Sequence, residues 1–261
     1  MLDTNLQTQL KSYLENLKTP VELITFTDES PKAKELAQLV DQIIELSPLV
    51  SKIDGNNTFS KAEQANNERV PSMLVRSVET GSEMRFAGLP MGHEFTSLVM
   101  ALLHSGSHPL KIDAEQIEQM RNLEGSFEFE TYISLSCQNC PDVVQALNMM
   151  AAINSNIKHT MIDGALFQTE VFDRDVMAVP NVFLNGESFA QGRISLTDIL
   201  NNPHVESSKL SGGNELYKIK LRQVGYQLMY EVNDAMITVT VISVGKRNTG
   251  KIYKAAMDRT S

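Results

Sequence analysis

The chain holds two cysteines, Cys137 and Cys140, in the run Ser136-Cys-Gln-Asn-Cys-Pro141. Two thiols one helical turn apart can bond to each other, exchange that bond with a foreign disulfide, or join a metal site. Downstream, Val143, Val144, Leu147, Met150 and Ala151 fall on one face of an expected helix, Pro141 to Asn154. Pro141 suits the first turn of such a helix, where its missing N–H costs little. Cys137 is then expected at the helix N-terminus, where unpaired N–H groups and the helix dipole stabilise a thiolate and lower its pKa below the free value of about 8.5. In that arrangement Cys137 is the exposed attacking sulfur and Cys140 the shielded one that resolves a mixed disulfide.

Three other readings stay open at this point. A zinc site needs about four ligands, and beyond the two cysteines the chain offers five scattered histidines without metal-binding spacing. The pair could also be an inert structural disulfide or two buried thiols. The compartment bears on the choice. Met1-Leu-Asp-Thr-Asn lacks the basic start and apolar core of a signal peptide. The best apolar run, Leu98 to Leu103, falls well short of the ~18 residues of a membrane span. A cytoplasmic location without membrane contact is therefore expected, where a close Cys pair is more often reactive than structural.

The elements that must position these thiols occur twice. The first copy opens with the alternating strand Val21-Glu-Leu-Ile-Thr-Phe26, continues with a helix over Lys32 to Leu46, and then shows Val70-Pro-Ser-Met-Leu-Val75. The second opens with Phe127-Glu-Phe-Glu-Thr-Tyr-Ile133, has the helix after the cysteines, and then shows Val179-Pro-Asn-Val-Phe-Leu184. Each closes with a Phe-Ala step and another helix, Glu94 to His104 in the first copy and Ser195 to Asn201 in the second. The order and the Val-Pro landmark agree, so an internal duplication of an α/β unit is expected. The first copy carries Thr27-Asp-Glu-Ser30 where the second carries its thiols, so it cannot exchange disulfides.

Composition supports a further division. The chain is 42% apolar and 21% charged, as in a soluble globular protein, with a net charge of −9. From Pro203 onward there are nine Lys/Arg against five Asp/Glu, whereas residues 1–202 carry 14 basic and 27 acidic residues. The join is expected at Asn201-Asn-Pro-His204. Three units follow: 1–115, 116–202 with the Cys pair, and a basic tail 203–261.

Residues 1–200 resemble the N-terminal domain of the flavoprotein component of bacterial alkyl hydroperoxide reductase. The resemblance lies in the start Met1-Leu-Asp-Thr-Asn, Arg85-Phe-Ala-Gly, Gly92-His-Glu-Phe-Thr-Ser-Leu98, Phe127-Glu-Phe-Glu-Thr-Tyr132, Leu135 to Leu147, Ile157-Lys-His-Thr160 and Asp163-Gly164. It implies an α/β fold class: two tandem thioredoxin-like folds forming one body, the first inactive and the second carrying the redox CxxC. It also implies Cys137 as nucleophile and Cys140 as resolving thiol, Glu94 of the inactive fold as an acid near the dithiol, and Pro180 as a cis-proline that helps present a substrate chain. A solvated helix-terminal position is the plain alternative for Glu94. The implied partners are a peroxiredoxin, the peroxidase component of alkyl hydroperoxide reductase, as acceptor and a flavoprotein or thioredoxin system as donor. The chain contains no G-x-G-x-x-G and no further cysteine, so neither FAD nor NADH is expected to bind it. Its redox group is the Cys137–Cys140 disulfide.

The tail resembles the C-terminal part of RelE-type toxins, which cleave messenger RNA on the ribosome, in Tyr217-Lys-Ile-Lys-Leu-Arg222, Gly225-Tyr226 and Val241-Ile-Ser-Val-Gly-Lys-Arg247. Three antiparallel strands are expected over Leu216–Leu221, Tyr226–Val232 and Met236–Val244, with a turn at Asn233-Asp234. By position Lys218, Lys220, Arg247 and Tyr253 match the family's functional pattern, while Gln227 and Thr249 stand where arginines are frequent. The toxin's first strand and most of its helical hairpin are missing before Pro203. Nucleic-acid binding is accordingly not expected of this remnant, although a ribosome- or antitoxin-binding role through the basic tail, or a non-functional gene fusion, is the alternative to the redox reading.

Overall fold

The computed structural model describes residues 2–59 and 69–200 in full, and 216–221, 226–233 and 238–246 by backbone. Residues 1–186 and 190–200 form one unit; Glu187–Phe189 and 201–261 form a second.

Up to residue 200 the strands are β1 Val21–Phe26, β2 Val50–Asp54, β3 Ser72–Ser77, β4 Glu83–Ala87, β5 Phe127–Ile133, β6 Ile157–Asp163, β7 Asn181–Leu184 and β8 Glu187–Gln191. The helices are α1 Thr4–Leu14, α2 Pro31–Ile44, α3 Gly55–Thr58, α4 Phe95–Ser105, α5 Ala114–Arg121, α6 Cys140–Ile153, α7 Gln168–Asp173 and α8 Leu196–Leu200. One sheet of eight strands runs in the order β2-β1-β3-β4-β6-β5-β7-β8.

That order is one motif used twice. β1 lies between parallel β2 and antiparallel β3, and β5 lies between parallel β6 and antiparallel β7. The copies join edge to edge where β4 runs parallel to β6, from Met84 opposite His159 to Ala87 opposite Ile162. Such fusion removes two open strand edges. The Val-Pro bonds of both copies, Val70–Pro71 and Val179–Pro180, are cis. In each copy a positive-φ glycine closes back on that proline, Gly88 N–H to the Pro71 carbonyl at 2.9 Å and Gly192 N–H to the Pro180 carbonyl at 2.8 Å.

Local chemistry explains the helices. Ser30 Oγ accepts the Ala33 N–H at 3.2 Å and Pro31 fills the first turn of α2. Its stripe of Ala33, Leu36, Leu39, Val40 and Ile43 is buried. In α6 the five apolar positions read from the sequence are all buried, among them Val143, Val144 and Leu147 at 0% exposure, which marks this helix as a core element. α6 packs on β4, β5, β6 and α4, so the helix that starts at the thiols spans the seam between the copies. The helix expected over Glu94 to His104 is a 3-10 turn, Gly92–Glu94, followed by α4. α5 crosses the expected join at 115/116.

In the second unit β9 Leu216–Leu221, β10 Tyr226–Asn233 and β11 Thr238–Lys246 form an antiparallel sheet in the order β11-β10-β9. These are the three tail strands expected from the alternating runs, the last shifted by two residues. Lys218 and Lys220 lie on β9; Arg247, Tyr253, Thr249 and the Asp234 turn position lie outside the described residues.

Candidate redox site

Asn139 precedes α6 without placing its side chain over the helix end. The orphan N–H of Cys140 points instead at Cys137 Sγ, 3.1 Å away. Sulfur takes the capping role that an oxygen usually fills, at the positive end of a 14-residue helix. Cys137 and Cys140 are joined by a disulfide. Cys140 is 0% exposed, whereas Cys137 is partly exposed. An attacking thiol must be accessible and a resolving thiol sheltered, and these two are graded that way.

The second wall of the site is the segment ahead of β7. The carbonyl oxygen of Val179 lies 3.9 Å from Cys137 Sγ, next to the cis bond to the buried Pro180. Pro180 thus stands where the resemblance implies. The preceding Met177 is 87% exposed, and the main chain of residues 177–179 makes no backbone hydrogen bond among the described residues. An open main-chain edge beside a reactive sulfur can pair with an extended foreign segment.

The third wall comes from the first copy. Gly92 has φ +60, and a Cβ there would meet the Leu135 carbonyl oxygen at 2.6 Å. His93 N–H donates to that same carbonyl at 3.1 Å, two residues before Cys137. The Gly92–Glu94 turn packs on α6, and Gln145 Nε2 of α6 donates to Thr96 Oγ1 at 3.3 Å and Ser97 Oγ at 3.5 Å. Glu94 is 0% exposed and neither carboxyl oxygen has a hydrogen bond of good geometry. Burial pushes its pKa up to about 7, with Ser97 opposing only weakly. The solvated alternative for Glu94 does not hold, because its carboxyl is fully enclosed.

Two groups escape a sequence reading. Below α6, His159 on β6 bonds Asn148 Oδ1 at 2.7 Å and Thr131 Oγ1 at 2.9 Å, linking the active helix to two strands. Burial lowers the His159 pKa to about 3, so the ring is neutral. On the opposite face Arg69 meets Glu130 and Glu170, at 2.6 Å each. Polar residues alternating with apolar ones in a strand read as a solvated face, and nothing local marks partners about a hundred positions apart.

Sulfurs bonded to each other are not zinc ligands. Among the described residues no group of three or more His, Cys, Asp or Glu is arranged to hold a metal, and no helix is long and apolar enough to cross a membrane.

A thioredoxin domain family matches residues 128–202, the second copy with its disulfide. The flavoprotein component of alkyl hydroperoxide reductase, AhpF, from Pseudomonas aeruginosa is 53% identical over 201 residues, covering 77% of this chain and 37% of that protein. Its Escherichia coli counterpart is 54% identical over 200 residues, again 37% of its length. The chain thus spans about 37% of the curated relatives it matches. The solved NTD_N/C domain of alkylhydroperoxide reductase AhpF from Enterococcus faecalis superposes with TM-score 0.69 at 27% identity, covering 77% of this chain and 99% of that one. The E. coli toxin RelE is 44% identical over 25% of this chain and 70% of its own, with TM-score 0.23, which carries no argument about the fold. The doubled strand order, the paired cis-prolines and the disulfide at the head of α6 agree with the sequence identity: this region of the chain belongs to the family of the N-terminal thioredoxin-like domain of the alkyl hydroperoxide reductase flavoprotein AhpF.

Proposed function

We propose that residues 1–202 act as a thiol–disulfide oxidoreductase that passes electron pairs from a donor protein to the disulfide of a peroxiredoxin in the cytoplasm. The observation that carries this reading is the graded pair at the uncapped start of α6: a partly exposed Cys137 Sγ receiving the Cys140 N–H, above a buried Cys140. In the reduced state the Cys137 thiolate attacks one sulfur of the partner disulfide. A mixed disulfide forms and one partner thiolate leaves. Cys140 then loses its proton and attacks Cys137 Sγ, the second partner sulfur leaves as a thiol, and the Cys137–Cys140 bond closes. Two electrons move to the partner, and a donor dithiol restores the pair by the reverse sequence.

Within this reading Glu94 takes or returns the Cys140 proton. Its burial favours the protonated carboxyl, and a proton acceptor titrating near neutrality matches the task. Pro180 sets the Val179 carbonyl beside the sulfur so that a partner segment can be held in an extended form. Residues 1–115 form the inactive repeat and 116–202 the active one, with 203–261 as an appended β fragment. Lys218, Lys220, Arg247 and Tyr253 have no part in the exchange. The electron donor is a flavin- and NADH-dependent protein or a thioredoxin system.

The test is disulfide transfer from the chemically reduced chain to an oxidised bacterial peroxiredoxin, with Cys137→Ser as control. Transfer that vanishes in the control supports the reading. A folded, reduced chain that leaves the peroxiredoxin oxidised overturns it.

A further inference from the structure

The inactive copy reaches the active site by a second route, on the sheet face away from α6. Arg69 is the residue before the cis bond Val70–Pro71 of the first copy. Its Nε lies 2.9 Å from both carboxyl oxygens of Glu170 on α7, and its Nη2 lies 2.6 Å from Glu170 and 2.6 Å from Glu130 on β5. Glu130 also accepts from Arg174 Nη1 at 2.5 Å, and Tyr132 donates its hydroxyl to Glu170 at 2.9 Å. Arg174 lies 5.0 Å over the Phe183 ring and 5.7 Å over Tyr132. Two guanidinium groups and two carboxylates form a closed, neutral set in which Arg69 supplies a planar fork that lysine cannot reproduce.

The members are well covered, Arg69 and Glu130 at 17% exposure, so this set is not an ordinary surface pair. Burial favours the neutral form of Glu170, but the Arg69 hydrogen bonds and charge outweigh it and hold the carboxyl below its usual range.

What the set holds is the approach to the substrate edge. Arg174 follows α7, and Asp175 turns the chain at φ +53. Val176 is buried with Tyr132, Ile162 and Phe183, and its N–H donates to the Val171 carbonyl at 3.0 Å. Then come Met177, Ala178 and Val179, with the Val179 carbonyl 3.9 Å from Cys137 Sγ. From Glu170 to Val179 the chain is tied down at its start and open at its end. A shift of α7 is therefore transmitted to the edge that faces the sulfur.

We infer that Arg69 is a positioning residue for disulfide exchange: from the catalytically silent repeat, it fixes α7 and thereby the Met177–Val179 edge on which a protein partner is held. The inference rests on the exchange reading above. It gives the silent repeat a task in partner binding, whereas bond exchange itself stays with Cys137 and Cys140.

The experiment compares the full-length chain with Arg69→Met and Arg69→Lys. Each is chemically reduced and assayed against an oxidised peroxiredoxin and against Ellman's reagent, a small disulfide with no main chain to hold. Arg69→Met is expected to raise KM for the peroxiredoxin about tenfold, with kcat and the Ellman rate changed less than about twofold, the coupling of an ordinary side-chain network. Arg69→Lys is expected to fall between. An unchanged KM, or equal loss on both substrates, overturns the assignment. Amide hydrogen exchange on the oxidised chains provides a measure independent of any partner. Residues 174–179 are expected to exchange about tenfold faster in Arg69→Met while α6 is unchanged, and uniform acceleration overturns the assignment. If the unmodified chain fails to reduce the peroxiredoxin, the exchange reading falls by itself, and the amide pattern still decides whether Arg69 holds the edge.

Discussion

The Cys140 N–H is aimed at Cys137 Sγ across 3.1 Å, while Cys140's own sulfur is wholly enclosed. In the reduced chain one sulfur is thus both accessible and electrostatically favoured as an anion. Iodoacetamide at neutral pH is expected to label Cys137 at least about tenfold faster than Cys140. With a peroxiredoxin disulfide, Cys140→Ser is expected to trap a mixed disulfide through Cys137, and Cys137→Ser to trap none. Mass spectrometry of the adducts checks both outcomes.

Glu94 makes stability and rate depend on pH in a stated direction. Its folded pKa of about 7 lies above the unfolded value near 4.5, so the folded state holds more protons between those limits. Stability is therefore lost as pH rises from about 4.5 to 7, and the full cost, roughly 3 kcal/mol, is present above 7. Glu94→Gln is expected to be more stable than the parent at pH 8 and nearly equal to it at pH 4.5, as read by urea denaturation. The same variant is expected to lose any inflection near pH 7 in the rate of resolution by Cys140.

Gly92 tests the contact between the silent copy and the active loop. At φ +60, with the Leu135 carbonyl 2.6 Å from the site of a Cβ, Gly92→Ala combines backbone strain with a collision against main chain. Roughly 2–4 kcal/mol of stability is expected to be lost. Because Leu135 lies two residues before Cys137, the variant is also expected to exchange disulfides more slowly. Thermal unfolding and the peroxiredoxin assay read the two effects.

His159 has the opposite pH sense from Glu94. Burial depresses its pKa to about 3, below the unfolded value of about 6.5. Its contribution to stability is whole above about pH 6.5 and is lost progressively as pH falls towards 3. The Asn148 Oδ1 contact assigns the proton to Nδ1, with Nε2 accepting from Thr131. An NMR titration is expected to show this neutral tautomer unchanged from pH 8 to pH 5.

Much of the site was legible in the sequence because its parts carry local signals. The apolar spacing of Val143 to Ala151 placed α6 to within a residue at each end, and the alternating runs Val21–Phe26 and Phe127–Ile133 are β1 and β5 as read. The paired Val-Pro landmarks fall on equivalent strands. Other parts left no such trace. α5 buries Met120 and no other residue, and α7 buries none, so neither shows an apolar period. His159 and Glu130 sit in strands where a polar residue ordinarily faces water. Arg69 and Glu170 are 101 positions apart, and their meeting is a product of the fold that no neighbouring residue announces.

The β4–β6 seam has a consequence for how such a chain can be inherited. A break between Ala87 and Phe127 leaves β4 and β6 each with an unpaired edge and uncovers the side of α6 that packs on β4 and α4. The two repeats are therefore a single hereditary unit: recombination can append or exchange material beyond β8, but a cut at the seam yields halves that tend to aggregate. The repeat that has no thiols is protected from deletion by the sheet it shares, however far its own former site drifts.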